Sequence, residues 1–225
     1  MRPGKVHVLF LPALFLLWGC ASKLGYPAKT VGIPTPVTLC SKFPQNGTIQ
    51  NTMPFMARDI WNELYKKRFT DVMAGIPASD LQRRLNIQFS NNVGKSPRLF
   101  APSSSEVFNI DVDYSKTKDD PKTYSGFDFT QYRDSIPTQY VLALTCEEWG
   151  LIAGQTDTTN GPYVSLTMQL IDKDTNMSLW RYHYQWMEPT AKDANELTHS
   201  DQFQHIVEKL IERAVNQYFQ WLNFG

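Results

Sequence analysis

The sequence predicts a two-layer α/β domain with a mainly antiparallel sheet and helices packed on one face. Three strand-like runs follow one another between Thr138 and Met187, and the last two alternate apolar and polar residues, which is the pattern of β-strands. A broad apolar stripe then recurs at helical spacing from Ser200 onward. Such a helix needs a sheet against which to bury its stripe, and the aromatic face of the last strand is the natural partner.

The N-terminal residues predict export. Arg2 and Lys5 precede an apolar run over residues 8–18, which is too short to span a bilayer as a mature helix and has the length of a secretory signal. The segment Leu17–Cys20 resembles the bacterial lipobox, with Trp18 in place of one of the two small residues of that pattern.

This resemblance implies that residues 1–19 are removed as a signal peptide and that Cys20 is lipidated, so that acyl chains anchor the protein to a membrane. Ala21 follows the cysteine, where an Asp would direct the protein elsewhere, and this implies the outer membrane, with the protein facing the periplasm. The alternative is an ordinary signal cleaved near Ala21, which would leave Cys20 without a role.

The charge balance makes nucleic acid an unsuitable partner. The full chain has 22 basic and 22 acidic residues, and removal of residues 1–19 takes away two basic residues and no acidic one. The mature chain would therefore carry 20 basic against 22 acidic residues, or a net charge of minus two.

Residues 20–51 are rich in proline and glycine and predict a flexible linker, whereas residues 52–225 predict a single domain. A helix should open this domain, with Thr52 placed to cap it. We interpret the basic run Lys66–Arg68 as its solvated C-terminal end, in preference to a lipid or phosphate site. The apolar residues that recur at helical spacing are Met56, Ile60, Trp61, Leu64 and Tyr65.

The middle of the chain predicts a short helix over residues 79–85, a short strand at Ile87–Phe89 and an amphipathic strand over residues 108–114. Residues 115–137 predict a long mobile loop with an aromatic tip, since a connection of this length is functional or disordered. The tip residues that could contact a ligand or partner are Tyr124, Phe127 and Phe129.

Residues 163–171 and 177–187 predict a β-hairpin whose side chains fix its register. A four-residue loop would place apolar positions opposite polar ones, whereas an odd loop such as 174–176 pairs Leu170 with Trp180. Asn176 suits the left-handed backbone that such loops often need. The remaining expected pairs are Met168 with Tyr182, Leu166 with Tyr184, and Val164 with Trp186.

Two cysteines remain beyond Cys20. In an oxidising periplasm, Cys40 and Cys146 could form a disulfide that pins the N-terminal segment to the sheet, and the alternative is two separate buried thiols. Neither their spacing nor the neighbouring histidines suggest zinc.

No catalytic, cofactor-binding or metal-binding site is indicated, and we expect a protein that is not an enzyme. Glu147 and Glu148 are adjacent, so on a regular strand their carboxylates point to opposite faces and do not converge. Arg181 and His183 share the polar face of the last strand, where they form either an exposed binding strip or simply its solvated side.

The run from Thr138 to Thr145, the hairpin that contains Leu170–Trp180 and the closing helix together resemble a pattern in periplasmic lipoproteins. In that pattern the hairpin has an apolar strand, an Asp, a short Thr-containing turn, and then an apolar residue and Trp. The group includes the soluble domain of the curli secretion lipoprotein, the lipoprotein activators of peptidoglycan synthases and a polysaccharide-export lipoprotein. Its members are mostly non-enzymatic assembly factors.

The resemblance implies a non-enzymatic scaffold or accessory factor of an envelope assembly, secretion or export machine, without a cofactor. Its partners would be the membrane, through N-terminal acyl chains, and either an envelope protein or further copies of itself. A second hypothesis is a periplasmic ligand-binding lipoprotein that recognises a cell-wall or small-molecule ligand, with the aromatic loop as its lid.

Overall fold

The computed structural model describes residues 34–110, 127–132, 134–154, 160–189, 197 and 199–224. The strands are β1 (Thr35–Lys42), β2 (Thr48–Asn51), β3 (Phe100–Asn109), β4 (Tyr140–Ala153), β5 (Gly161–Asp172) and β6 (Met177–Met187). The helices are α1 (Phe55–Trp61), a π-helical turn (Asn62–Lys66), α2 (Lys67–Ala74), α3 (Ala78–Gly94) and α4 (Ser200–Phe224), and a 3-10 turn spans Phe129–Tyr132.

The six strands form one sheet in the order β3-β1-β4-β5-β6, with β2 beside the second half of β4. Strands β4, β5 and β6 pair antiparallel along most of their length, whereas β1 runs parallel to both β3 and β4. Helices α3 and α4 pack on one face, which we call the front face, and the predicted two-layer α/β fold is therefore confirmed.

The hairpin register predicted from the side-chain pattern is confirmed, because Leu170 pairs with Trp180 and Val164 pairs with Trp186. The turn differs from the expected three-residue loop. Asp172 pairs with Met177, so the turn has four residues. A bulge, where the register shifts between Leu170 and Ile171, then restores the expected pairing of Leu170 with Trp180. Asn176 has a positive φ of 58°, as expected for a turn of this kind.

Helix α4 covers the aromatic face of the hairpin, as the sequence predicts. The ring of Tyr218 meets Trp186 edge to face at 5.0 Å, and Trp221 contacts the rings of both Tyr184 and Trp186. The Tyr218 hydroxyl also donates a hydrogen bond to the carbonyl oxygen of Leu166. The helix is thus fixed to β5 and β6 by apolar packing and by a buried polar contact.

The predicted linker over residues 20–51 is wrong for its second half, because β1 and β2 lie in the sheet. Val37 and Leu39 are buried in the front core, and Pro34, Pro36 and Pro44 lie at the start of β1 or beyond its end. Strand β2 pairs so closely with β4 that a Cβ on Gly150 would lie 1.9 Å from the carbonyl oxygen of Thr48. Glycine at φ 149° is required there.

Two predictions for the middle of the chain also need correction. The expected short helix continues through Ile87 and Phe89 to Gly94, because Leu81, Leu85 and Phe89 form one buried row at helical spacing. The strand expected at 108–114 begins earlier, at Phe100, and its residues beyond Ile110 lie outside the described part of the chain.

Residues 55–74 form one continuous helix from α1 through the π turn to α2, which we call the first helix. Its buried side carries Trp61 and Phe69, whose rings stack 5.9 Å apart. Met56, Ile60 and Leu64, which recur at the same helical spacing, lie exposed. Thr52 does not cap the helix, because its hydroxyl donates to the carbonyl oxygen of Ala153.

Candidate functional site

The rear face of the sheet, away from the helices, is divided into an apolar half and a polar half. The apolar half is a second core, and the polar half carries side chains from β2, β4, β5 and β6. We call the polar half the rear polar strip. Its members are Gln50, Glu147, Glu148, Tyr163, Thr167, Arg181, His183 and Gln185.

A β-bulge in β4 directs two adjacent carboxylates to the same face. Cys146 pairs with Leu166 and Glu148 pairs with Ser165, so Glu147 is an extra residue in the strand. The expectation that Glu147 and Glu148 point to opposite faces is therefore wrong, because it assumed a regular strand. The sequence carried no signal of this bulge.

Glu147 is the centre of one half of the strip. Its carboxylate accepts hydrogen bonds from the Arg181 guanidinium at 2.9 Å and from the Thr167 hydroxyl at 2.6 Å. The Nδ1 atom of His183 lies 3.4 Å from the same carboxylate and 3.0 Å from the Thr167 hydroxyl. Arg181 and His183, both predicted as strip residues, thus share one acidic partner that sequence analysis did not assign to them.

Glu148 is the centre of the other half. Its carboxylate accepts a hydrogen bond from the Gln50 amide at 2.7 Å and another from the Tyr163 hydroxyl at 3.1 Å. The pKa of Tyr163 is raised to about 12, mainly by burial and also by the charge of Glu148, while the hydrogen bond with Thr48 acts in the opposite direction. Tyr163 therefore remains a neutral donor at physiological pH.

The strip can bind polar groups without a cleft. Glu147, Arg181 and His183 remain 28%, 27% and 45% exposed, so each presents part of its polar surface to solvent. The strip therefore offers donors and acceptors in fixed positions to a partner that lies across the sheet.

The predicted aromatic loop does not form a lid in the described residues. Phe127 and Phe129 are only 3% and 0% exposed and pack in the rear apolar core against Ile136. The backbone N–H of Phe129 also donates to the side chain of Asn176 at 3.1 Å, which ties this segment to the hairpin turn. Tyr124 lies outside the described residues.

Cys40 and Cys146 are two separate buried thiols in the structure. Cys40 belongs to the rear apolar core, whereas Cys146 belongs to the front core, so the sheet separates the two thiols. Burial raises the pKa of Cys40 to about 12 and that of Cys146 well above its usual value. Cys20 lies outside the described residues.

No helix in the described part of the chain is long and apolar enough to cross a membrane. In the same part of the chain, no three His, Cys, Asp or Glu side chains come together in a way that could hold a metal ion.

No protein-family model matches the sequence, and no curated protein matches it. Among solved structures, the chain is similar to protein XCC0632 from Xanthomonas campestris, with 11% identity, coverage of 84% of this chain and 85% of that one, and a TM-score of 0.38. It is similar to the PelC dodecamer from Paraburkholderia phytofirmans, with 14% identity, coverage of 82% and 90%, and a TM-score of 0.35.

A third similar structure is lipoprotein GNA1162 from Neisseria meningitidis, with 15% identity, coverage of 80% of this chain and 99% of that one, and a TM-score of 0.27. The words lipoprotein and dodecamer apply to those proteins. Identities and TM-scores this low carry no functional argument, so the proposals below rest on the residues of this chain.

Proposed function

We propose that this protein is an outer-membrane lipoprotein that faces the periplasm and serves as a non-enzymatic accessory or scaffold factor of an envelope assembly, secretion or export machine. The lipobox-like segment Leu17–Cys20 supports anchoring. The 14 residues 21–34 separate Cys20 from the start of β1. Fully extended, a chain of that length reaches about 50 Å, which is enough to hold a folded domain away from a bilayer.

The observation that carries the scaffold function is the open edge of β6 beside the rear polar strip. Strand β6 ends the described strand order, and the N–H of Glu188 donates to the carbonyl oxygen of Pro162 at 3.0 Å. In an antiparallel pair, every second residue points its backbone N–H and C=O groups away from the partner strand. Because Glu188 bonds to β5, the backbone groups of Arg181, His183 and Gln185 point away from β5. A partner strand can add to these groups and contact the strip with its side chains.

The opposite edge is less suited to strand addition. Strand β3 contains Pro102, which lacks a backbone donor, and its pairing with β1 shifts register between Val37 and Leu39. A proline and an irregular register both blunt an edge. The segment of β6 from Trp180 to Met187 contains no proline and no shift of register. We therefore assign partner docking to β6.

The test is site-specific photocrosslinking in intact host cells. A benzophenone amino acid at Gln185, exposed at the edge of β6, should give a defined adduct with an envelope protein or with a second copy. The matched control is the same amino acid at Lys209, which is exposed on α4 and should give no such adduct. Monomer alone at both positions would contradict the scaffold function.

Anchoring is tested separately by labelling cells with a fatty-acid analogue. Wild type should be labelled, and Cys20→Ala should not be, because the lipobox-like segment assigns the acyl chains to that thiol. Equal labelling of the two proteins would refute lipidation at Cys20.

A further inference from the structure

The first helix presents an exposed apolar row to solvent. Met56, Ile60 and Leu64 follow one another at intervals of four residues and therefore lie on the same side of the helix. They are 80%, 60% and 62% exposed, and Phe55 beside them is 69% exposed. We call these four residues the outer row.

The outer row is unusual for the described part of this protein. Eight large apolar side chains are exposed there, and the four most exposed of them belong to this one stretch of ten residues, 55–64. Single exposed apolar residues are common on protein surfaces, whereas a contiguous group marks a surface that contacts something apolar. The outer row therefore requires a covering partner.

Basic residues accompany the outer row. The Arg58 guanidinium lies 5.2 Å from the ring centre of Phe55, and an open groove of about 560 Å³ beside Leu64 is lined by Lys67 and Arg68 together with Glu63 and Asp71. Residues 55–74 contain four basic and three acidic side chains, a net charge of plus one in a protein with no net charge. An apolar row with basic residues beside it is the composition of a helix that lies in a lipid–water interface.

The chain before β1 is long enough to bring the outer row to a membrane. Val37 pairs with Tyr140, the first residue of β4. The N–H of Thr52 donates a hydrogen bond to the carbonyl oxygen of Ala153, the last residue of β4. The row therefore begins near the far end of a 14-residue strand, about 45 Å from the start of β1. A fully extended chain of 14 residues, the length of 21–34, spans about 50 Å, so an anchor at Cys20 does not prevent this contact.

We propose that the outer row lies on the phospholipid bilayer into which the acyl chains of Cys20 insert. This inference rests on the proposed anchoring for its choice of membrane. The row then supplies a second contact beside the acyl chains and orients the domain, so that β6 and the rear polar strip hold a defined position relative to the bilayer.

The test places an environment-sensitive fluorophore on Ile60→Cys in the full mature protein, bound to vesicles of phosphatidylethanolamine with a minority of phosphatidylglycerol. Brominated acyl chains in the same vesicles should quench this probe at least about twofold more strongly than a probe on Ile87→Cys. Ile87 is the matched control, because it is also an exposed isoleucine on a helix, at 47% exposure on α3.

Equal quenching at the two positions, or none at Ile60, would overturn the proposal. A probe at Ile60 that is shielded from water without quenching by bromine would also overturn it and would assign the row to a second copy or another protein. Mass spectrometry of the same sample reports acylation of Cys20 independently. Failure of lipidation therefore remains distinguishable from failure of the outer row to bind lipid.

Discussion

Helix α4 and the first helix both carry apolar residues at helical spacing, yet their environments differ. Helix α4 buries Phe203, Val207 and Leu210 against the sheet. The first helix buries only the side that contains Trp61 and Phe69, and it leaves the outer row in solvent. Helical periodicity thus predicts that a helix forms and which residues share a side, but it does not say whether the same chain covers that side.

The comparison is tested most strongly by Phe203→Ala in α4. Phe203 is fully buried in the front core, so its truncation should lower the free energy of unfolding by about 3–5 kcal/mol. Urea unfolding of the mature protein measures this loss, with Gln202→Ala as the matched control, because Gln202 is exposed on the same turn. A loss below about 1 kcal/mol would show that α4 is not a principal part of the core.

Trp61→Ala applies the same test to the buried side of the first helix. Trp61 is 8% exposed and stacks on Phe69, so its truncation should lower the free energy of unfolding by about 3 kcal/mol. This value is the lower end of the range for a buried tryptophan. The same urea titration measures it. If Trp61→Ala were as mild as a surface substitution, the Trp61 side chain would not be packed in the front core.

The hairpin and these two helices also show how much of the fold can be predicted from the sequence. The register of β5 and β6 was predictable because a one-residue slip would expose every apolar side chain, and α4 was predictable because its stripe is long. For the first helix, Met56, Ile60 and Leu64 have the same spacing as a buried stripe, so nothing local separates a covered side from an open one.

The site was less predictable, because it depends on pairings between distant residues. The β4 bulge that brings Glu147 and Glu148 to one face is set by the alignment with β5 and leaves no local pattern. Strand β1 was missed because its flanking prolines resemble a linker. Phe127 and Phe129 were assigned to an exposed loop because the apolar half of the rear face that covers them was not foreseen.

The contacts of α4 also predict a dependence of stability on pH. Burial raises the pKa of Tyr218 well above its usual value of 10.0, so the folded protein retains the phenol proton at a pH where the unfolded chain has lost it. The contribution is therefore complete below about pH 10 and is lost as the pH rises above it, by at most about 1.4 kcal/mol per pH unit.

Tyr218→Phe removes that contribution, so its free energy of unfolding should fall less steeply than that of wild type between about pH 9 and pH 11. Urea titrations across this range measure both slopes. Cys40, Cys146 and Tyr163, whose pKa values are also raised, remain in both proteins, so the difference between the slopes isolates Tyr218. Identical slopes would mean that the Tyr218 phenol is accessible to solvent.

The smallest expected effect is that of Ile60→Ala in the outer row. Ile60 is 60% exposed, and alanine forms helices more readily than isoleucine, so the free energy of unfolding in solution should change by no more than about 0.5 kcal/mol. Trp61→Ala, at the next position of the same helix, serves as the contrast, because its expected loss of unfolding free energy is about sixfold larger. A loss above about 1 kcal/mol for Ile60→Ala would show that the protein itself covers the outer row, and no apolar surface would then remain there for a bilayer.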